Sequence, residues 1–81
     1  HTIDVHGLRV AEAVKLTEKA LRDAIRHDHP EIRVIVGKGL HSRNGTPVLK
    51  QAIIREMQKV QIPCRVNNFN TGILILSLPP L

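Results

Sequence analysis

The tightest constraint on the fold of this chain is a hydrophobic pattern that changes its period along the sequence. Thr2-Ile3-Asp4-Val5-His6 alternates polar and apolar residues, the spacing of a strand with one buried face, and Gly7 punctuates it. From Val10 the apolar residues fall at Val10, Ala13, Val14, Leu21, Ala24 and Ile25, near the 3.6-residue repeat. Glu12, Lys15, Glu18, Arg22 and Arg26 occupy the other side, so this segment reads as an amphipathic helix to about His27. His27-Asp28-His29-Pro30 ends it, because the residue before a proline avoids the helical conformation. Ile32 to Val36 then carries four apolar residues in five, as a buried central strand does.

The second half repeats the alternation. The stretch from Gly37 to Gly45 holds three glycines and reads as a loop. Thr46-Pro47 is a helix start, the hydroxyl capping free backbone N–H groups and the proline suiting the first helical position. Leu49, Ala52, Ile53, Met57 and Val60 mark one buried face of that helix, and Ile62-Pro63 stops it. Arg65 to Phe69, a turn at Asn70-Thr71-Gly72, and Ile73 to Leu78 predict a terminal pair of strands. The order is βαβαββ, an α/β sandwich with a mixed sheet and two helices. A right-handed crossover through the first helix makes the first two strands parallel neighbours. Whether the helices share one sheet face or flank it is left open.

Eighty-one residues suffice for a single domain, 1–81, and the pattern expects that domain to be a piece of a longer protein, since it begins at His1. Phe69 is the single aromatic residue, so the core must be aliphatic. Cys64, alone, cannot close an internal disulfide, which excludes a cross-linked secreted scaffold and points to the cytoplasm or nucleus. No apolar run approaches the ~18 residues of a membrane span. Twelve Lys and Arg against seven Asp and Glu give a net charge of +5, which draws polyanions toward the surface.

In an open sheet, ligands meet the loops beyond the carboxyl ends of parallel strands. Asp4 and His6 close the first strand, where residues two apart share a face. Lys38, His41, Ser42 and Arg43 follow the second, so all six converge on one edge if these strands are adjacent. Gly37 and Gly39 let backbone approach a phosphate and orient N–H groups toward it. They make no nucleotide motif. Gly39 follows Lys38 where a P-loop needs Ser or Thr, and Ser42 stands where a dinucleotide fingerprint needs its third glycine. His27 and His29 belong to the opposite edge, where cations at a helix C-terminus are expected from the dipole alone, and they are not assigned a metal.

Ile3-Asp4-Val5-His6-Gly7-Leu8, Gly37-Lys38-Gly39-Leu40-His41-Ser42 with Asn44-Gly45 and Leu49-Lys50 after it, and Asn70-Thr71-Gly72-Ile73 together resemble the small MutS-related (Smr) domain family over nearly the whole chain. The resemblance implies a fold similar to the C-terminal domain of bacterial initiation factor three. It also implies nucleic-acid binding, often with endonuclease activity. Asp4 and His6 correspond to the family's Leu-Asp-x-His motif, and Gly37 and Gly39 to its Gly-x-Gly. Val36 stands where that second motif usually begins with His or Thr.

A two-metal nuclease gathers several carboxylates, and the site edge offers only Asp4. No cofactor is therefore required, although the site is compatible with Mg²⁺. RNA supplies its own nucleophile, the 2'-hydroxyl, so an acid and a base that titrate near neutrality suffice, and His6 and His41 are the candidates. Asp4 would orient a histidine, while Lys38 and Arg43, with Gly37, Gly39 and Ser42, would hold phosphate. The expected partners are RNA or DNA, RNA favoured, together with flanking domains of the parent protein; ribosome association is compatible with this reading and a membrane is not. Two alternatives stay open: a catalytically silent nucleic-acid-binding module, and a protein-interaction domain that needs no phosphate site.

Overall fold

The computed structural model describes residues 1–37 and 48–80. In chain order the elements are β1 (Thr2–Asp4), α1 (Val10–Arg26), β2 (Glu31–Ile35), α2 (Val48–Lys59), β3 (Cys64–Val66) and β4 (Ile73–Ser77). The sheet order is β1-β2-β4-β3. β1 runs parallel to β2, whereas β4 is antiparallel to both its neighbours, so the sheet is mixed. No helix among the described residues is long and apolar enough to cross a membrane.

β2 is central, as its composition predicts, but only one of its faces is packed. Ile32 and Val34 are fully buried while Arg33 between them is exposed. The same alternation selects Leu74 and Leu76 on β4, their register partners, and Val5 beyond β1. These side chains form one cluster with Ala13, Leu21 and Ala24 of α1 and Ile53 and Met57 of α2. Both helices therefore cover the same sheet face, settling the question that the pattern left open. The opposite face carries the register row Thr2, Arg33, Ile75, Arg65.

Thr17 explains the gap in the apolar repeat of α1. It is fully buried between Ala13 and Leu21, and its hydroxyl donates to the Ala13 carbonyl four residues back at 2.8 Å. A threonine satisfied within its own helix packs as an aliphatic residue of similar size. Val10, which the spacing placed inside, is instead 38% exposed.

The helices end alike. Asp28 and Gln61 take φ values of 56° and 60°, and in each case the next residue donates back into the helix, His29 to the Ala24 carbonyl and Ile62 to the Met57 carbonyl, both at 2.9 Å. This is a Schellman closure with a left-handed residue that is not glycine, followed by proline at Pro30 or Pro63. It returns the chain abruptly to the sheet. Both helices accordingly lead into strands through short connections, and the carboxyl ends of β1 and β2 are left together at one edge.

Candidate active site

At that edge the β1 ladder is carried one step past the strand, where the Val5 N–H donates to the Ile35 carbonyl at 2.9 Å. The chain then turns, with Gly7 at φ 79° and the Leu8 N–H bonded to the Val5 carbonyl at 3.2 Å. His6 lies in this turn and not in the strand, so strand alternation does not bring it over Asp4. A local bond does: Asp4 Oδ1 accepts the His6 backbone N–H at 3.0 Å and meets His6 Nδ1 at 2.5 Å. One carboxylate oxygen thus caps the turn and orients the imidazole.

The pair is open to solvent, with the His6 and Asp4 side chains 66% and 50% exposed. The hydrogen bond from the His6 ring, and after it the backbone N–H of His6, hold the Asp4 carboxyl below the ordinary carboxylate value of 3.8. Asp4 is therefore ionised at neutral pH and only accepts hydrogen bonds, which makes Nδ1 the protonated ring nitrogen. Nε2 is left on the other side of the ring with no partner among the described residues. An imidazole fixed in this tautomer presents a lone pair to take a proton, or an N–H to return one.

Gly37 borders His6. Its φ is +81°, and a Cβ placed on it would stand 3.6 Å from His6 Cβ, so it is the left-handed backbone more than lack of room that calls for glycine here. The N–H groups of Val36 and Gly37 both donate to the Gly72 carbonyl, at 2.8 and 3.1 Å. The Gly37 N–H is thus engaged inside the fold. Val36 is buried in the core, only 6% exposed, so the position where the family motif carries a polar residue serves packing here.

Of the residues singled out from sequence, Asp4, His6 and Gly37 come together. Lys38, Gly39, His41, Ser42 and Arg43 lie outside the described residues. Sequence reasoning missed the third member of this edge, the loop between β3 and β4. The turn at Asn70-Thr71-Gly72 was legible, but its docking onto Val36 and Gly37 depends on β4 pairing with β2, a long-range choice with no local signal.

Residues 3–72 match the model of the Smr domain family. The chain belongs to the Smr family. The Smr domain is 45% identical over 76 residues to Endonuclease NBR9 of Saccharomyces cerevisiae, covering 94% of this chain and 32% of that protein. It is 34% identical over 77 residues to an Smr domain-containing protein of Schizosaccharomyces pombe, covering 95% of this chain and 37% of that one. The chain thus spans about a third of the length of these relatives. Among solved structures it is similar to the Smr domain of Thermus thermophilus MutS2, with a TM-score of 0.84, 26% identity and 98% of each chain covered.

Proposed function

We propose that this Smr domain binds nucleic acid at the edge formed by Asp4, His6 and Gly37 and cleaves the phosphodiester backbone endonucleolytically, RNA in preference to DNA. The observation that carries the reading is the Asp4–His6 pair, a carboxylate-oriented imidazole whose outer nitrogen has no partner among the described residues, at a solvent-open sheet edge. The net charge of +5 favours a polyanion, and the name of the yeast relative, an endonuclease, agrees with cleavage.

In the proposed reaction His6 Nε2 removes the proton of a ribose 2'-hydroxyl as its oxygen attacks the adjacent phosphorus. The P–O5' bond breaks, and the leaving 5'-oxygen takes a proton from His41. A 2',3'-cyclic phosphate and a free 5'-hydroxyl result. Asp4 keeps the His6 ring in the productive tautomer and stabilises its charged form. Lys38 and Arg43, beside Gly39 and Ser42, hold the phosphate. No metal takes part in these steps. The half-buried Cys64, whose thiol burial pushes up, stays out of the chemistry and suits a reducing compartment such as the cytoplasm or nucleus.

The test is a comparison of cleavage and binding. Asp4→Asn and His6→Ala are expected to lower the cleavage rate ~10²- to 10⁴-fold while Kd for the same oligonucleotide stays within a few-fold. The double variant should be little slower than the worse single one, because the two residues act as a unit. Folded variants that cut at the wild-type rate would remove the catalytic assignment. A wild-type domain that binds RNA but never cuts it would favour the silent binding module, the reading to which the apolar Val36 lends support.

A further inference from the structure

We propose that Phe69 is a stacking platform for an unpaired nucleobase of the substrate, set on the same edge as the Asp4–His6 pair. The inference rests on the nucleic-acid reading above and names the kind of strand that the site takes.

Phe69 is the single aromatic residue of the chain, and it is 100% exposed. Sequence patterning extends the third strand to Phe69, but β3 stops at Val66 and leaves the ring on the connection to β4. The other large apolar residues at the surface, Val10, Leu16, Val48, Val60 and Val66, are 37–57% exposed and keep part of their surface against the protein. Folding therefore gains nothing from this ring.

The backbone beneath it is nonetheless held tightly. Asn67 Oδ1 accepts the N–H groups of Phe69 and Asn70 at 2.7 and 3.0 Å, and Asn70 Oδ1 accepts that of Gly72 at 2.9 Å. The Asn67 N–H donates to the Ile73 carbonyl at 2.9 Å, closing the loop at its base. The Gly72 carbonyl in turn receives the N–H groups of Val36 and Gly37, and Gly37 borders His6. β1 and β4 flank β2, so their ends stand two strand spacings, ~10 Å, apart. Phe69 is three residues from Gly72, at most ~11 Å of chain. A base on this ring is within the reach of a few nucleotides of the strand held at His6.

The surroundings favour a base over an apolar protein partner. A protein hot spot sits in a larger apolar area that excludes water. Here the neighbours along the loop are Asn67, Asn68, Asn70 and Thr71, polar groups suited to the edge of a base. A flat uncharged ring accepts any base on its π-face, whereas bases within a duplex already have both faces covered by their neighbours. The substrate is therefore single-stranded, or unpaired locally, beside the scissile phosphate.

The chain contains no Trp and no Tyr, so Phe69→Trp creates a sole fluorophore at this position. Its emission should be quenched by an unstructured RNA oligonucleotide and unchanged by a fully paired duplex of equal length. Phe69→Ala should weaken binding of the unstructured RNA roughly 5- to 150-fold and leave duplex binding within twofold. Circular dichroism should show both variants folded, since the ring is fully exposed. Equal affinity of wild type and Phe69→Ala for the unstructured RNA would overturn the stacking proposal and leave the nucleic-acid reading standing. So would equal losses on single strand and duplex. A wild-type chain that binds neither would overturn both.

Discussion

Asp4 has two tasks with one oxygen, and they leave different traces. As a cap it fixes the backbone of the turn at His6; as a hydrogen-bond acceptor it fixes the imidazole. Its carboxyl is held below 3.8 chiefly by the ring bond and next by the backbone bond, with desolvation opposing both. Because the folded-state value is depressed, the stabilisation is complete above the unfolded value and is lost as pH falls through the folded one. A carboxyl ¹³C NMR titration should therefore find the Asp4 midpoint below 3.8 in the wild type. In His6→Ala it should rise, yet stay below 3.8 while the backbone N–H remains. An unchanged midpoint in His6→Ala would show that the ring bond does not persist in solution. The residue types at this site were legible from sequence, but the geometry was not. Strand alternation suggests a shared face, whereas the pair is made by a side chain bonding two residues ahead, a contact that needs the strand to have ended.

The helix ends show what an element owes to local sequence. Both terminations were legible from Pro30 and Pro63, since proline constrains the residue before it and cannot continue a helix. The left-handed residues two positions earlier, Asp28 and Gln61, were not, because neither is the glycine that normally announces such a cap. A left-handed non-glycine residue costs about 1–2 kcal/mol. Glycine at Gln61 would remove that cost and return ~0.4–1 kcal/mol through a looser unfolded chain. Gln61→Gly should therefore stabilise the domain by ~0.5–1 kcal/mol, a rise in Tm of ~2–8 °C. Gln61 is exposed, so no packing is lost. A lower Tm by differential scanning calorimetry would mean that the side chain makes a stabilising contact beyond its backbone conformation. Within α1 the apolar repeat predicted Ala13, Leu21 and Ala24 correctly and passed over Thr17, because a buried hydroxyl is signalled only by the i−4 carbonyl that satisfies it.

At the scale of the molecule, the element order was legible because each segment carries its own period, and the parallel β1–β2 pair followed from the handedness of the crossover. The position of β4 between β2 and β3 and the shared helix face were not, since both depend on contacts between distant segments. That topology joins the turn at His6, the Gly37 backbone and the β3–β4 loop into one edge, and it places the exposed Arg33 and Arg65 on the sheet face away from the helices. The proposed cleavage at such an edge draws on one carboxylate, Asp4, and would thereby differ from that of metal-dependent nucleases. The most direct test of the account is mass spectrometry of the products when the chain is incubated with unstructured RNA in excess chelator. The expected products are fragments ending in a 2',3'-cyclic phosphate, formed at a rate comparable to that in Mg²⁺, with no cutting of RNA methylated on its 2'-hydroxyls. Loss of cleavage in chelator, or equal cutting of the methylated RNA, would contradict it.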